Sequence, residues 1–326
     1  MARRLALATG AIFLATLLAY TGRWFWPGEM LVTFRAHFAG LLILALVVAL
    51  ALRRWRIAGV AVIGLVLSVW PMYGAFFGVG PPKPSNARPV RVVSFNVHIG
   101  NDALPGVAAY LDSLDADVVV LAELSPLSRA EELAALLPKM PHRYLAERDG
   151  IWGVAILSRW PLIAPEPAMD GALPVGARAD VDLGDRTFRL HAAHLSWPVV
   201  PATARKRNAQ LASLGGDLAA CPHACAAVGD FNVTPWSSHF RDLLKRSAVH
   251  DCAAGRGLLT TWSSGLPSFL RIRIDQCLIA GAMGVNEVKV GESVGSDHFA
   301  TINDLWVGGP PSPGISVPGT VFTRER

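Results

Sequence analysis

Charged residues are scarce in this chain of 326 residues, of which only 17% are charged while 52% are hydrophobic. An ordinary soluble domain carries about 25% charged residues. The shortage therefore excludes a chain made only of ordinary soluble domains. The length allows one full-sized domain together with a second, more apolar part.

Acidic residues are nearly absent from residues 1–89, which contain nine Arg or Lys and one acid. Residues 90–306 carry nineteen basic and twenty-three acidic residues, a net charge of −4. The overall charge of +5 thus belongs to the first segment. The remainder lacks the basic surface typical of a nucleic-acid-binding domain. This balance argues against a nucleic-acid substrate but leaves one open.

A common metal-binding pattern is also missing. No second Cys/His pair at zinc-finger spacing accompanies Cys221-Pro-His-Ala-Cys225. Cys221 and Cys225 are close enough to form a disulfide. Two alternatives stay open: a metal cluster with His223, which is the least favoured, and two small residues at a helix end. The disulfide state is left undecided.

Long hydrophobic runs, by contrast, are abundant at the start, over residues 5–20, 36–52 and 57–77. A membrane-spanning helix needs about 17–25 apolar residues. The first run is short, and a signal peptide is its alternative because Arg3 and Arg4 precede it. No small-x-small cleavage site follows, and whether this run is cleaved stays open. We predict a three-helix transmembrane anchor over residues 1–80.

The basic residues predict the orientation of this anchor. Arg3 and Arg4 precede the first run, and Arg53, Arg54 and Arg56 lie between the second and third. Positive residues favour the cytoplasmic side, so everything after residue 80 is expected outside the cytoplasm, on an inner or plasma membrane. Residues 81–89 form a Pro-rich linker that should lift the next domain off the bilayer. The tail, residues 307–326, is predicted to be disordered.

Residues 90–306 read as alternating short strands and helices. Strands are predicted at 90–95, 117–121, 152–157, 178–183, 187–193, 226–231, 260–262, 274–279, 287–290 and 299–302, and helices at 106–114, 128–137, 201–218 and 237–247. Strands outnumber helices, and neighbours such as 178–183 and 187–193 look antiparallel. The pattern predicts an α+β fold with a two-layer β-sandwich flanked by helices.

Polar side chains stand at the ends of these strands, where an open sheet builds its sites. Each has a plain alternative: Glu123 as a helix-initiating acid, His194 as a core histidine, and Asp275 as the ion-pair partner of Arg273. Because side chains alternate along a strand, Asp230 and Asn232 would share one face of it. Alternatively, the two residues close an Asx turn. Together the series favours one site, made of Asn96, Glu123, His194, Asp230, Asn232, Asp275, Asp297 and His298.

The chain here resembles a known family. The motifs that carry the resemblance are Ser94-Phe95-Asn96, Glu123, His194-Leu195, Gly229-Asp230-Phe231-Asn232, Ile274-Asp275 and Ser296-Asp297-His298. They are similar, in order, to those of the endonuclease/exonuclease/phosphatase superfamily, which includes deoxyribonuclease I-like proteins. The resemblance covers about residues 90–306 and implies a deoxyribonuclease I-like fold in a membrane-anchored, bacterial-type member.

The resemblance also implies roles for these residues. Glu123, Asn96 and Asp297 would bind a divalent cation, Mg²⁺ or Mn²⁺, whose preferred ligands are oxygens. His298 would act as general base on water, oriented by Asp275. Asp230 would position that water. His194 and Asn232 would hold the phosphoryl oxygens. The implied reaction is in-line hydrolysis of a phosphodiester or phosphomonoester.

The substrate is less determined than the reaction. A lipid-linked or small phosphoester fits the helical anchor, whereas DNA or RNA would want a basic groove. The one basic patch of note, residues 205–207, is read as a solvated face. Arg178 and Trp152 are candidate substrate contacts. His98 is read as a solvent-facing turn residue, with a substrate contact as its alternative. One metal versus two, and the oligomeric state, stay open.

The competing function of another class is a catalytically silent, membrane-bound binding module. Such a protein should have lost one or more metal or base positions, and none is lost here. No protein partner can be inferred, so the expected partners are the lipid bilayer and the phosphoester substrate.

Overall fold

A computed structural model describes residues 1–146, 150–170 and 173–309. Nearly all of the predicted disordered tail, residues 307–326, lies outside these described residues, although Val307 itself ends a strand. The chain divides into a helical segment at the start and a two-sheet body, which we call the sandwich.

The helical segment contains two helices that are long and apolar enough to cross a membrane, Ala2–Thr21 and Trp55–Phe77. A third crossing is possible only if Trp26–Val32 and Arg35–Ala51, which meet at an angle of 67°, form one span. Its α-helices are α1 (Ala2–Leu18), α2 (Trp26–Val32), α3 (Arg35–Ala51), α4 (Trp55–Val69) and α5 (Tyr73–Phe77).

Small side chains hold these helices together. The faces of α3 and α4 that become buried carry mainly alanine and other small residues, and Thr16 of α1 lies 3.2 Å from Ser68 of α4, oxygen to oxygen. Such residues let helix backbones approach closely, as they do in membrane proteins. Many large apolar side chains of the segment, such as Leu44 and Ile63, instead point outward.

The sandwich consists of two six-stranded sheets, which agrees with the predicted fold class. Its strands are β1 (Arg88–Asn96), β2 (Val118–Ala122), β3 (His142–Ala146), β4 (Val154–Ser158), β5 (Leu162–Asp170), β6 (Leu173–Asp182), β7 (Thr187–His194), β8 (Ala224–Asp230), β9 (His250–Asp251), β10 (Asp275–Gly281), β11 (Met283–Val290) and β12 (Thr301–Val307). One sheet has the order β11-β12-β1-β2-β4-β3 and the other β5-β6-β7-β8-β10-β9.

Helices α6 (Leu104–Ser113) and α7 (Leu127–Ala135) cover the outer face of the first sheet, and α8 (Pro201–Ala219) and α9 (Ser238–Ser247) that of the second. The inner faces pack on each other in a core of β-branched and small side chains. This layering removes both faces of each sheet from water.

Strand direction brings the site residues to one edge. β1 and β2 are parallel, so Asn96 pairs with Ala122 and Glu123 follows directly. β7 and β8 are also parallel, which sets His194 opposite Asp230. β10 runs antiparallel to β8 and therefore begins, rather than ends, at this edge, with Asp275 opposite Asp230.

Several predicted elements differ from the observed ones. Residues 260–262 form isolated bridges through Trp262 to Ile272 and His298 rather than a strand. The last strand spans Thr301–Val307 instead of 299–302. β5 was missed because Pro165 and Pro167 argue against a strand, yet prolines are tolerated at a sheet edge, where β5 lies.

All four cysteines are paired in disulfides, Cys221 with Cys225 and Cys252 with Cys277. The open question about Cys221 and Cys225 thus resolves to the disulfide. The alternative of a metal cluster with His223 is wrong, because both thiols are consumed.

The linker does not hold the sandwich away from the helical segment. The indole Nε1 of Trp26 donates to Pro198 O at 2.7 Å, and the backbone N–H groups of Gly255 and Gly257 donate to Gly74 O at 3.0 Å and Ala75 O at 2.7 Å. These bonds seat the sandwich directly on α2 and α5. The structure therefore differs from the expectation of a lifted domain.

Candidate active site

A cavity of about 340 Å³ opens at the sheet edge where the predicted residues gather. Among the residues lining it are six of the predicted ones: Glu123, His194, Asp230, Asn232, Asp297 and His298. The other two, Asn96 and Asp275, are buried behind this lining and hydrogen-bond to it. The structure therefore brings all eight together.

Asn96 at the end of β1 stands at the centre of the cluster. Its amide Nδ2 lies 3.0 Å from Glu123 Oε1, 3.2 Å from Asp230 Oδ2 and 3.4 Å from His298 Nε2. Its Oδ1 accepts from the backbone N–H of His98 at 3.1 Å. Because β1 and β8 belong to different sheets, Asn96 ties the two halves of the sandwich together at the site.

His298 forms the His–Asp pair that the resemblance implied. Its Nδ1 lies 3.0 Å from Asp275 Oδ2, and its backbone N–H donates to Ser296 Oγ. The alternative for Asp275, an ion pair with Arg273, is not observed: Arg273 instead pairs with Asp251 at 2.5 Å. A carboxylate on Nδ1 fixes the ring so that Nε2 faces the cavity.

Burial and neighbouring charge set unusual pKa values in this cluster. Burial lowers the pKa of His298, but the charges of Asp275 and Asp230 outweigh it and raise that pKa to about 10. Burial raises the pKa of Asp230 to about 7. Burial also lowers the pKa of His194 to about 4, so this ring is neutral near pH 7. Such opposed shifts in one cleft are typical of catalytic sites.

The Gly-Asp-Phe-Asn motif combines two interpretations that the sequence set against each other. Asn232 does not continue the strand: its φ is +49° and its backbone N–H donates to Asp230 Oδ1 at 2.8 Å, an Asx turn. The turn still directs both side chains to the site, since Asn232 Nδ2 lies 3.3 Å from Asp230 Oδ2 and also bonds Leu195 O at 2.9 Å. The turn is the means of building the site.

Glu123 is not a helix-initiating acid, because α7 begins four residues later at Leu127. Its φ is +58°, and its Oε2 accepts from the backbone N–H of Ile99 at 3.2 Å. His98 was interpreted as a turn residue, yet its Nδ1 lies 3.7 Å from Glu123 Oε2 and 3.5 Å from Asp297 Oδ1. His98 thus lines the cavity between two carboxylates.

The donor set fits a divalent cation. Four carboxylates converge here, from Glu123, Asp230, Asp275 and Asp297, and none of the described residues that line the cavity is Lys or Arg. A phosphoester is anionic and would be repelled unless a cation intervened. Asp230, Asp275 and His298 also place ligand atoms within 4.8 Å of one another, but the Asp275–His298 hydrogen bond already occupies two of these atoms. Glu123 and Asp297 both line the cavity, and each has a carboxylate oxygen within 4 Å of His98 Nδ1, so we favour them as ligands.

Of the candidate substrate contacts, Trp152 lies at the site and Arg178 does not. The Trp152 ring lies 5.2 Å from that of His194, centroid to centroid, and Lys206 Nζ lies 5.0 Å from the Trp152 centroid. Arg178 instead pairs with Glu166 and Asp217 on the side of the sandwich covered by α8. The proposed role for Arg178 is therefore not supported by its position.

Sequence reasoning missed a buried ion pair behind the site. Arg207 is 1% exposed rather than part of a solvated patch; it donates to Glu29 Oε1 of α2 at 2.6 Å and to the backbone carbonyl of Asn232 at 2.7 Å. Ser237 Oγ also donates to Glu29 Oε1 at 2.7 Å. The signal was available, because Glu29 is the single acid among residues 1–89, and a buried acid needs a partner.

The cavity wall also contains residues that no motif identified. Met30 and Thr33 of the helical segment line it, as do Trp197, Pro198 and Val199 from the loop after β7. Trp262 donates its indole N–H to Asp297 Oδ2 at 2.9 Å and so fixes that carboxylate.

The Endonuclease/Exonuclease/phosphatase family matches residues 93–298, more than half of the chain, from just after the start of β1 to His298. The chain belongs to this family. Nucleases and phosphatases both cleave phosphoester bonds, so the protein is a phosphoester hydrolase. Among curated protein sequences none matches it significantly.

Solved structures share the fold of this Endonuclease/Exonuclease/phosphatase member. An endonuclease/exonuclease/phosphatase from Beutenbergia cavernae is 21% identical with a TM-score of 0.52, and the match covers 69% of this chain and 73% of that one. D. rerio TDP2 complexed with single-strand DNA product is 17% identical (TM-score 0.53, 67% and 98% covered). The 3' phosphatase NExo from Neisseria, bound to a product DNA hairpin, is 18% identical (TM-score 0.52, 66% and 98% covered).

Proposed function

We propose that this protein is a membrane-anchored, divalent-cation-dependent phosphoester hydrolase whose sandwich lies outside the cytoplasm. The observation that carries the chemistry is the convergence of the Asp275–His298 pair, Asp230 and Asn96 on one cavity that also presents Glu123 and Asp297. This set provides a base, water-positioning groups and cation ligands without a covalent nucleophile.

Each residue has a defined task in this proposal. Asp275 orients His298 so that Nε2 accepts a proton from water, and Asp230, whose Oδ2 lies 3.6 Å from that Nε2, positions the same water. Asn232 and the neutral His194 donate hydrogen bonds to phosphoryl oxygens. Asn96 holds Glu123, Asp230 and His298 at fixed separations.

The cation, Mg²⁺ or Mn²⁺, would be held by Glu123 and Asp297. Asn96 would orient the Glu123 carboxylate through its hydrogen bond to it. When bound, the cation neutralises the phosphoryl charge. The charges of Asp275 and Asp230 raise the pKa of His298, and a bound cation would offset part of that negative charge. His298 would then be neutral, as a general base must be, closer to physiological pH.

The membrane anchor is supported by the two apolar helices, or three if the bent pair is one span, and by large apolar side chains on their outer faces. The basic residues near Arg3 and Arg53 support an orientation with both clusters in the cytoplasm. The two disulfides of the sandwich are consistent with an oxidising location outside the cytoplasm.

A second candidate is hydrolysis of extracytoplasmic nucleic acid. The observation that favours it is the shared fold with TDP2 and NExo, whose solved structures contain DNA products. Against it stands the cavity lining, which lacks Lys and Arg among the described residues. We therefore rank it below a small or lipid-linked phosphoester.

The test is a hydrolysis panel on the full chain in detergent with Mg²⁺, Mn²⁺ or EDTA, on DNA, RNA, phospholipids and alkyl phosphates. We expect cation-dependent release of product, lowered about 100- to 10,000-fold by His298→Ala. His250→Ala, at an exposed histidine of β9, is the matched control. Activity that ignored EDTA and survived His298→Ala would refute the chemistry. A reporter active only outside the cytoplasm, fused after residue 309, tests the orientation, and its silence would refute that part.

A further inference from the structure

The lining of the active-site cavity is of two chemical kinds. One part consists of the carboxylates and imidazoles around Asn96. The other part, which we call the apolar wall, is formed by apolar side chains, namely Met30, Ile99, Ile151, Trp197, Val199 and Ile272. A cavity that served only a compact, charged phosphate ester would gain little from such a wall, because apolar surface stabilises ligands by burying apolar area.

The apolar wall includes residues of the helical segment. Met30 and Thr33 belong to α2 and the turn that follows it. α2 lies between α1 and α3 and is bent by 67° from α3, whose apolar length continues away from it. On the proposed topology α2 therefore lies at the outer membrane surface, and the cavity wall continues toward the bilayer.

Exposed apolar side chains extend the same wall. Trp197, Val199 and Val200 form the loop between β7 and α8 and are each about half exposed, while Trp26 of α2 bonds Pro198 within this loop. Trp and other large apolar residues at a membrane boundary anchor proteins in the headgroup region. An apolar path thus leads from the catalytic residues to the surface where lipid chains would lie.

We propose that the substrate is an amphiphilic phosphoester taken from the membrane. Its phosphate would lie beside Asn96 and His298, and its hydrocarbon chain would lie along Met30, Trp197 and Val199. This rests on the proposed function and names its substrate class. Water adds to phosphorus, the P–O bond to the leaving group breaks, and the departing oxygen takes up a proton. The products are an alcohol and a phosphate one ester bond poorer.

The charge of the cavity supports this choice over a nucleic acid. A polynucleotide requires several cationic contacts along its backbone. The described lining residues offer none, and Lys206 lies nearby against the Trp152 ring. A single phosphate with an apolar tail needs one cation and an apolar wall, which is what the cavity provides.

The experiment varies the tail and keeps the reacting centre constant. The full chain in detergent is given methyl, butyl and octyl p-nitrophenyl phosphate with Mn²⁺, each below its micelle concentration. Alkyl monophosphates of the same lengths and an oligonucleotide serve as parallel arms. If methylenes enter the cavity, kcat/KM should rise about fourfold for each added methylene, because burying a methylene contributes about 0.8 kcal/mol.

Two wall variants locate the effect. Val199→Asn, on the exposed loop, and Met30→Gln, on α2, should each lower the octyl-to-methyl ratio of kcat/KM severalfold. Leu136→Asn is the matched control, since Leu136 is an exposed leucine on the far end of α7 and lines no part of the cavity. Thermal unfolding is measured for each variant. It distinguishes a variant that is merely less stable from one whose preference for chain length has changed.

The outcomes distinguish the two proposals. Hydrolysis that rises with chain length, with a ratio reduced by the wall variants and unchanged by Leu136→Asn, supports the amphiphile. Hydrolysis with no dependence on chain length, or faster cleavage of the oligonucleotide, overturns it while the phosphoesterase stands. Failure to cleave any arm with Mg²⁺ or Mn²⁺ overturns both.

Discussion

The helical segment and the sandwich bury opposite kinds of side chain. In the sandwich the large apolar residues face inward, as Val92, Val118 and Ile156 do, with no more than 1% exposure each. In the helical segment small residues such as Ala45, Ala49 and Ala61 face inward, while Leu44 is 60% exposed. This contrast supports the proposed membrane anchor, since an outward row of leucines is stable in lipid and unfavourable in water.

The two regions nevertheless meet through polar contacts. The Glu29–Arg207 pair is almost fully buried, whereas the Arg23–Asp242 pair across the same junction remains partly exposed. Because a buried charge needs its partner far more than an exposed one does, the junction is specific in orientation. The predictions below change one region or the junction and keep the other as the reference.

The largest effect is expected from Arg207→Met, which leaves the Glu29 carboxylate buried without its counter-charge. The free energy of unfolding in detergent should fall by about 3–5 kcal/mol, and kcat should fall because the Asn232 carbonyl loses its donor. Arg205→Met, two residues earlier and exposed, should change stability by less than about 0.5 kcal/mol. Equal effects of the two variants would contradict a buried junction.

Leu44→Asp tests whether the helical segment faces lipid. If α2 and α3 form one span, an aspartate near its centre costs about 2.5–3.5 kcal/mol on insertion, so the fraction of protein recovered in membranes should drop. Leu136→Asp, at a comparably exposed leucine of the sandwich, should leave that fraction unchanged. If neither substitution changed the fraction recovered in membranes, the proposal that the helical segment faces lipid would be contradicted.

A third prediction sharpens the comparison from the sandwich side. Burial lowers the pKa of His191 in β7 to about 4, with the nearby Arg178 and Arg189 acting in the same direction. Between about pH 6.5 and 4 the unfolded chain binds a proton here that the folded chain does not. Stability is thus present above this window and falls by up to about 3 kcal/mol as the pH decreases through it.

Unfolding of wild type and His191→Gln at pH 7 and pH 4.5 checks this point. The variant should lose less stability on acidification than wild type. His250→Gln, at an exposed histidine, should behave like wild type. A wild-type loss that persisted in full in His191→Gln would show that other groups are responsible.

The smallest effect is expected from Arg23→Gln. The Arg23–Asp242 pair is short, at 2.6 Å, but its side chains are 40% and 28% exposed. Exposed pairs contribute less than about 1 kcal/mol, and salt screens them. Unfolding in low and high salt should therefore show a small difference from wild type that vanishes at high salt. A loss of unfolding free energy as large as that of Arg207→Met would contradict the distinction between the buried pair and the exposed pair.

Much of the sandwich and its site could be predicted from sequence because both depend on local patterns. Apolar runs that end in Asn96, His194 and Asp230 place these residues at strand ends, and parallel pairing then brings them to one edge. The fold class agreed for the same reason. The position of Asp275 was within reach because this residue stands at the start of an apolar run that forms a strand.

What could not be predicted depends on contacts between distant residues. Nothing near Arg207 in the sequence distinguishes it from Arg205, and its burial follows from α8 packing toward α2, 178 residues earlier. The place of His98 between Glu123 and Asp297 arises from three separate loops, so the sequence could not decide between its two readings. The apolar wall was missed since Met30 belongs to a segment interpreted as an anchor alone.

The seating of the sandwich on both α2 and α5 has a geometric consequence. Trp26 holds it at one point, and Gly74 and Ala75 hold it at another, so the body cannot pivot about a single tether. On the proposed membrane topology, the depth of the candidate catalytic centre relative to the lipid headgroups is then set by the fold. We expect an enzyme held at one height to select among membrane phosphates by how far each projects, so that bulky or long headgroups would carry theirs out of reach.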